Sequence, residues 1–405
     1  MPETLRAAII GTGRPHGSEG RTGSGMAHSH ARGYNAYPGA EIVALADIRP
    51  ENAQAFAEQH CPKAALYTDF KKMLKAEKLD VVSVCLWPHL HGMAVMACAK
   101  AGVRAVHSEK PMAPTWGEAQ KMAAACEKAG TQLTFNHQRR FLPAFRKAKE
   151  IAHSGAIGDI VRLEGSCSNM IDWGTHWIDM MFFFNNENPV KWVLGQIDAR
   201  EWHEVFGLPY EHQAICEMKF ENGLRGVLFT GEDSDIGCSM RIIGTDGVVE
   251  LRGGDTPLWV RGKGDSKWKT PRLGGGLHGG DAITLGIRDL LDALKEGREP
   301  ELAARRALQT TEVIFATYES ARRRGRVDLP LKQKDSAYLS MIGRDSQAQE
   351  GQALANLPTI ASGGSGRFLG PRNVPGACSK GGTDAEAPGC WGVASALGGS
   401  VPDDL

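Results

Sequence analysis

The chain holds 405 residues, 42% hydrophobic and 23% charged, with 47 basic and 47 acidic side chains and therefore no formal net charge. That length accommodates two ordinary domains, and the balanced charge supplies no attraction to nucleic acid or an anionic membrane. No apolar run approaches the roughly 20 residues of a membrane span, and the opening MPETLRAAII lacks a basic segment followed by a long apolar core, so neither an anchor nor an export signal is expected.

Strand-like and helix-like segments alternate from the start. An apolar strand, AAII (7–10), runs into a glycine-rich loop, and a helix begins near Met26. EIVALAD (41–47) leads to a helix from Pro50, VVSVCL (81–86) to one over 90–101, VRAVH (103–107) to one over 115–129, and QLTF (132–135) closes the series. Short, continuous apolar strands separated by helices predict a parallel sheet covered on both faces. After a helix over 141–153 the pattern turns strand-rich: IVRLEGSCS, AICEMKF, LRGVLFTG and MRIIG, with ENG and TDG as turn signals. Helices over 281–296 and 302–323 precede VDLPL (327–331). The fold class is therefore α/β plus α+β: a doubly wound parallel sheet over 1–136, then an α+β domain over 137–332 built on a largely antiparallel open sheet. Residues 333–405 form a tail expected to be disordered, its composition turning rich in Gly, Ser, Ala and Pro from about 345. Nine cysteines are scattered with none in a C-x-x-C pair, which predicts free thiols in a reducing, cytoplasmic setting.

Gly11-Thr12-Gly13 opens a dinucleotide-binding fingerprint, but His16 stands where G-x-G-x-x-G needs its third glycine. With Gly25 in that role, eleven residues separate it from Gly13 instead of two. The helix led by Gly25 and Met26 still offers its N-terminal amides to a pyrophosphate. Asp47 ends the next strand, 22 residues past Gly25, where a carboxylate takes the ribose hydroxyls of NAD and repels the extra phosphate of NADP; Arg49 nearby weakens that exclusion. The bland alternative is a tight strand-to-helix turn with no ligand.

Glu109-Lys110-Pro111 follows a strand and precedes a helix, a position that delivers Lys110 to the ligand crevice of a parallel sheet. Alone, the tripeptide would pass for a surface turn. Asp172, His176 and Asp179 are spaced i, i+4, i+7 on one helical face, so a carboxylate can orient His176 as a general base. A core histidine with Asp172 as its helix N-cap is the alternative. A metal site drawn from these residues with His89, His91, His203 and His212 has no characteristic ligand spacing, and none is expected.

Taken in order, Gly11/Gly13 … Gly25, Asp47, Pro88-x-x-His91, Glu109-Lys110-Pro111, Arg139-Arg140-Phe141-x-Pro143, Asp172-x-Gly174-x-His176-x-x-Asp179, IIGTDGVVEL and TYESARRRGRVDLPL make residues 5–331 resemble the Gfo/Idh/MocA oxidoreductases. The long glycine loop, Trp87 where many members carry Thr or Ser, and the tail depart from the family pattern. The resemblance implies a Rossmann domain that takes NAD rather than NADP against Gly11, Thr12, Gly13, Gly25, Met26, Asp47, Trp87, Pro88, His91, Glu109, Lys110 and Asn136. It implies that Lys110 touches both the nicotinamide and the substrate hydroxyl, before a cis bond to Pro111. His176 would take the hydroxyl proton while hydride leaves for nicotinamide C4, and Asp172 would hold a neighbouring hydroxyl or steer His176. Arg139, Arg140 and Trp173 would join Asp172 and His176 around the substrate, with inter-domain salt bridges or core packing as the alternatives.

Three functions fit. The first is an NAD-dependent dehydrogenase of a sugar, inositol or related polyol, a homodimer or homotetramer with no nucleic-acid or membrane partner. The second is an NAD-dependent glycosidase working by transient oxidation, elimination and re-reduction. The third is a non-enzymatic cofactor sensor, which has little need of an intact lysine, histidine and aspartate set. The insertion between Gly13 and Gly25 is expected to lie over the cofactor or beside the active-site mouth. Excising 15–23 should then change NAD affinity or substrate range in steady-state assays, and unchanged kinetics would remove that role.

Overall fold

The structure, a computed structural model, describes residues 4–343 apart from 16, 20–22, 201, 202 and 280. The described residues all fall in one compact unit, and the disorder expected from 345 onward lies outside them. The first half alternates β1 (Leu5–Ile10), α1 (Met26–Asn35), β2 (Ala40–Ala46), α2 (Pro50–His60), β3 (Ala65–Tyr67), α3 (Phe70–Ala76), β4 (Val81–Val84), α4 (Pro88–Lys100), β5 (Ala105–Ser108), α5 (Trp116–Ala129) and β6 (Gln132–Phe135). The six strands form one parallel sheet in the order β3-β2-β1-β4-β5-β6. β4 is buried at every position, as strands covered on both faces must be. The order reverses between β1 and β4, so a crevice opens beyond their carboxyl ends, the place where such sheets bind ligands.

The second half follows a 3₁₀ turn (Gln138–Phe141): α6 (Pro143–His153), β7 (Ile160–Cys167), α7 (Trp173–Phe184), β8 (Val190–Asp198), β9 (His203–Val205), β10 (Leu208–Tyr210), β11 (Gln213–Phe220), β12 (Arg225–Gly231), β13 (Met240–Gly244), β14 (Val248–Leu251), β15 (Leu258–Arg261), α8 (Asp281–Glu296), α9 (Ala304–Arg323), β16 (Val327–Asp328) and α10 (Ala337–Met341). Eight strands order as β15-β14-β13-β7-β12-β11-β8-β16, antiparallel except where β12 meets β7. ENG turns β11 into β12 and TDG turns β13 into β14. β11 alternates buried and more exposed residues, the signature of a sheet with one open face.

Three features differ from the sequence reading. The sequence reading does not name α3, β8, β15 or the three-residue strands β3, β9 and β10; the three-residue strands carry too little period to detect. α8, expected to serve the second half, packs on the first: Ile287 lies against Gly33 of α1, and the Tyr37 hydroxyl donates to Asp292 at 2.7 Å. Order also extends beyond 332, because α10 buries Tyr338, whose hydroxyl donates to the Tyr210 carbonyl at 2.7 Å.

The parallel sheet holds a neutral histidine in its core. His107 on β5 is buried with Nδ1 2.8 Å from the Thr134 hydroxyl, and burial, reinforced by His30 beside it, lowers its pKa to about 3. An unfolded histidine protonates near ~6.5, so this site's contribution is complete above that pH and is lost as pH falls from ~6.5 through the folded value. By pH ~5 the loss from His107 alone is about 2 kcal/mol. Urea melts should show lower stability at pH ~5 than at ~7.5, with a flatter dependence in His107→Asn.

Candidate active site

The glycine turn is shaped for a close ligand. Gly11 has φ +84°, and a Cβ there would meet the Cys85 carbonyl at 2.6 Å, so only glycine lets β1 turn beneath the end of β4. Gly13 has φ +58° with nothing within 4 Å of where its Cβ would be, leaving that face of the backbone open. Gly25 leads α1 in a left-handed conformation, and no acidic residue occupies the first turn after Met26. Asp47, half-buried after β2, accepts from the Thr12 hydroxyl (2.9 Å) and the Gly13 amide (3.0 Å), while its other oxygen accepts from the Arg49 amide (2.9 Å). An open glycine backbone, a helix N-terminus without a competing carboxylate and an acid after β2 fit a dinucleotide. Thr12 is buried with its hydroxyl committed to Asp47, so the main chain is what Thr12 offers a ligand.

Glu109 follows β5 and is buried. Its Oε1 accepts from His30 Nε2 on α1 (2.9 Å) and Asn136 Nδ2 after β6 (2.8 Å). Burial would raise its pKa, but these bonds and the Lys110 charge prevail and lower it to about 2. The Lys110–Pro111 bond is cis. His91, on α4, is buried with one ring nitrogen 3.0 Å from the Pro111 carbonyl and the other 2.9 Å from that of Leu86. Both ring nitrogens therefore face main-chain carbonyls, and the neutral ring donates to one of them at a time. Pro88 is the buried first residue of α4, and Trp87 before it is exposed at the rim, beside Gly23 and the Gly207 turn.

The Lys110 ammonium is ion-paired with Asp172 at the start of α7. Asp172 does not cap that helix: the side chain of Asn169 accepts from the Asp172 and Trp173 amides at 2.8 and 3.2 Å. His176, one turn on, is buried, and its Nδ1 has no hydrogen-bond partner among the described residues. Burial first, then the charges of Arg139 and Lys110, hold its pKa well below the ordinary imidazole value. Asp179, expected to share a face with His176, instead binds His137 Nδ1 at 3.1 Å and Arg140 at 2.8 Å.

Arg140 is a correction to the substrate set. It is wholly buried and meets Asp179, Glu187 and Glu301, so its donors serve packing between segments. Arg139 differs: its guanidinium lies 4.6 Å from the Trp177 ring and 5.4 Å from Trp173, with Nη2 3.3 Å from His278 Nδ1. Sequence reasoning missed His30, His137 and His278. His30 had a signal, a polar residue among Ala27, Ala31 and Tyr34 on the buried face of α1.

A glycine turn and an acid after β2 at the switch point of a parallel sheet define the class of dinucleotide-binding folds. Residues 5–137 match a family model described as "Oxidoreductase family, NAD-binding Rossmann fold", and 164–329 match its "C-terminal alpha/beta domain" companion. The chain belongs to the Gfo/Idh/MocA oxidoreductase family and is an NAD-dependent oxidoreductase. It is 27% identical over 336 residues to a D-apiose dehydrogenase of Paraburkholderia graminis, covering 75% of this chain and 87% of that one. A myo-inositol 2-dehydrogenase of Thermotoga maritima is 25% identical over 255 residues, 59% and 72% of the two chains. A levoglucosan dehydrogenase structure with NADH shares the fold at TM-score 0.69 and 20% identity, covering 81% of this chain and all of that one.

His30→Ala should destabilise the protein by about 1–3 kcal/mol in urea melts, because a buried carboxylate loses one of its two side-chain donors. His30→Gln, which keeps a donor, should recover part of it. Equal stability of all three proteins would show that Glu109 does not depend on His30.

Proposed function

We propose that the enzyme oxidises a CH–OH group of a sugar, inositol or related polyol, with Lys110 and His176 as the catalytic pair. One observation carries this reading: the Lys110 ammonium pairs with Asp172 one turn ahead of His176 on α7. A carbinol seated beside them meets a hydrogen-bond donor for its oxygen and an imidazole for its proton. His176 is neutral at working pH, because its depressed pKa keeps the ring unprotonated and free to accept. Asp172 positions Lys110 and can accept from a neighbouring hydroxyl. NAD, when bound against Gly11, Gly13, Gly25 and Asp47, supplies the two-electron acceptor for the hydrogen on the carbinol carbon. In this reading residues 1–136 hold the dinucleotide and 137–332 hold the substrate.

Relatives named for apiose and inositol support the carbohydrate class. The seven described cysteines are all free, which supports a cytoplasmic setting. Among the described residues no helix is long and apolar enough to cross a membrane. Val161, Leu194 and Ile215 stand exposed on strands of the eight-stranded sheet, a surface suited to self-association, and light scattering that returned a monomer would remove that part of the reading.

Purified protein with NAD and a panel of sugars, inositols and glycosides should form NADH steadily with one polyol class. Lys110→Ala and His176→Ala should each lower the rate by about 10²–10⁴-fold. Glycoside cleavage that requires NAD but accumulates no NADH would replace this reading with the transient-redox glycosidase.

A further inference from the structure

Arg139 and Arg140 are consecutive, both buried, and treated in opposite ways. Arg140 is surrounded by the carboxylates of Asp179, Glu187 and Glu301. Arg139 is 3% exposed, and its Nε has no partner among the described residues. Its one side-chain hydrogen bond there is the contact to His278 at 3.3 Å. The nearest acids are committed elsewhere: Asp172 to Lys110, and Asp179 to Arg140 and His137. Among the described residues no carboxylate forms an ion pair with Arg139. Burying a guanidinium without a counter-ion is unfavourable, and an anion arriving there removes that cost. Its guanidinium carbon lies 4.6 Å from the Trp177 ring and 5.4 Å from the Trp173 ring, two rings at 81° to each other, and its fork of N–H groups suits a bidentate carboxylate. His278 beside it is exposed and Trp173 is half-buried.

We propose that the substrate is a sugar acid, an aldonate or uronate, whose carboxylate pairs with Arg139 while the carbinol to be oxidised lies at Lys110 and His176. This rests on the catalytic reading above. The carboxylate is a spectator: the carbinol carbon gives up hydride to NAD⁺, its oxygen gives up a proton to His176, and a ketone remains. The carboxylate also acts on the base. Arg139 is the largest single charge holding His176 in its neutral, weakly basic form. A carboxylate on Arg139 offsets that charge, so His176 gains basicity when an acid substrate is seated and not when a neutral sugar is.

The test pairs each acid with its neutral counterpart, such as gluconate with glucitol and galacturonate with galactose, using NAD-loaded enzyme. Two readouts are taken: NADH formation, and quenching of tryptophan fluorescence, which reports binding at Trp173 and Trp177 without turnover. At least one acid should be preferred about 10–100-fold in kcat/KM, as a charge-assisted bidentate contact allows. Arg139→Gln should reduce the acid-to-neutral ratio by a similar factor, and Arg139→Lys should restore part of it. For that acid, the acid limb of kcat should lie at higher pH than that of kcat/KM. Acid-selective quenching that Arg139→Gln abolishes would support the carboxylate site even if no compound in the panel is oxidised, in which case it is the catalytic reading that fails. Equal handling of acids and neutral sugars by wild type, in binding and turnover, would overturn the proposal. So would an unchanged ratio in a folded Arg139→Gln.

Discussion

Glu109 is nearly closed to water yet stays ionised, because His30 and Asn136 donate to one of its oxygens and the Lys110 charge lies beside it. In a low-dielectric interior those bonds are strong, and the same environment makes any loss among them costly. The donors come from different places: His30 from the helix whose N-terminus meets the glycine turn, Asn136 from the end of β6. His30 also reaches the Ser83 hydroxyl on β4 at 3.0 Å, and Tyr34 bonds the same hydroxyl at 2.8 Å. One carboxylate thus ties α1, two strand ends and the lysine turn into a unit, and Lys110 inherits a fixed origin.

From that origin the ammonium reaches Asp172 and so fixes where α7 begins relative to the parallel sheet. A second set of charges holds the far end of the contact: Arg140 on the 3₁₀ turn binds Asp179 on the same helix, two turns beyond Asp172. α7 is pinned at both points, and His176 between them has little freedom to shift. The histidine is kept neutral first by burial and then by the charges of Arg139 and Lys110. The acids that could have raised its pKa are directed to Lys110, Arg140 and His137.

The fold was legible because its signals are periodic. Continuous apolar runs marked the parallel strands, strand-rich segments marked the open sheet, and ENG and TDG marked two of its turns. Gly11 was legible for a steric reason, since no other residue passes the Cys85 carbonyl. The roles of charged residues were less so. Asp172 has the position of an N-cap, yet Asn169 caps and Asp172 pairs with a lysine 62 residues away. Arg139 and Arg140 are the same side chain in successive positions of a 3₁₀ turn. That geometry aims neighbours about 120° apart, toward an ion cluster in one case and two tryptophans in the other. Nothing local distinguishes them, because the difference lies in which remote segments arrive on each side.

Among the described residues, few buried side-chain atoms lack a hydrogen-bond partner, and three of them are Asn136 Oδ1, His176 Nδ1 and Arg139 Nε. Folded proteins satisfy nearly all such groups, so an unsatisfied cluster calls for a cause. Asn136 already serves Glu109 through its amide nitrogen, Arg139 lies against two tryptophan rings, and His176 is buried with Arg139 and Lys110 nearby. Each is fixed by its surroundings and still has an atom to offer. A group held rigid and left unpaired needs no reorganisation when a ligand atom arrives, so the gain on binding goes to the arrangement that completes it. The neighbouring residues that look equally suited by chemistry, Arg140, Asp179 and His91, have no such atom, and in this they differ from Asn136, His176 and Arg139.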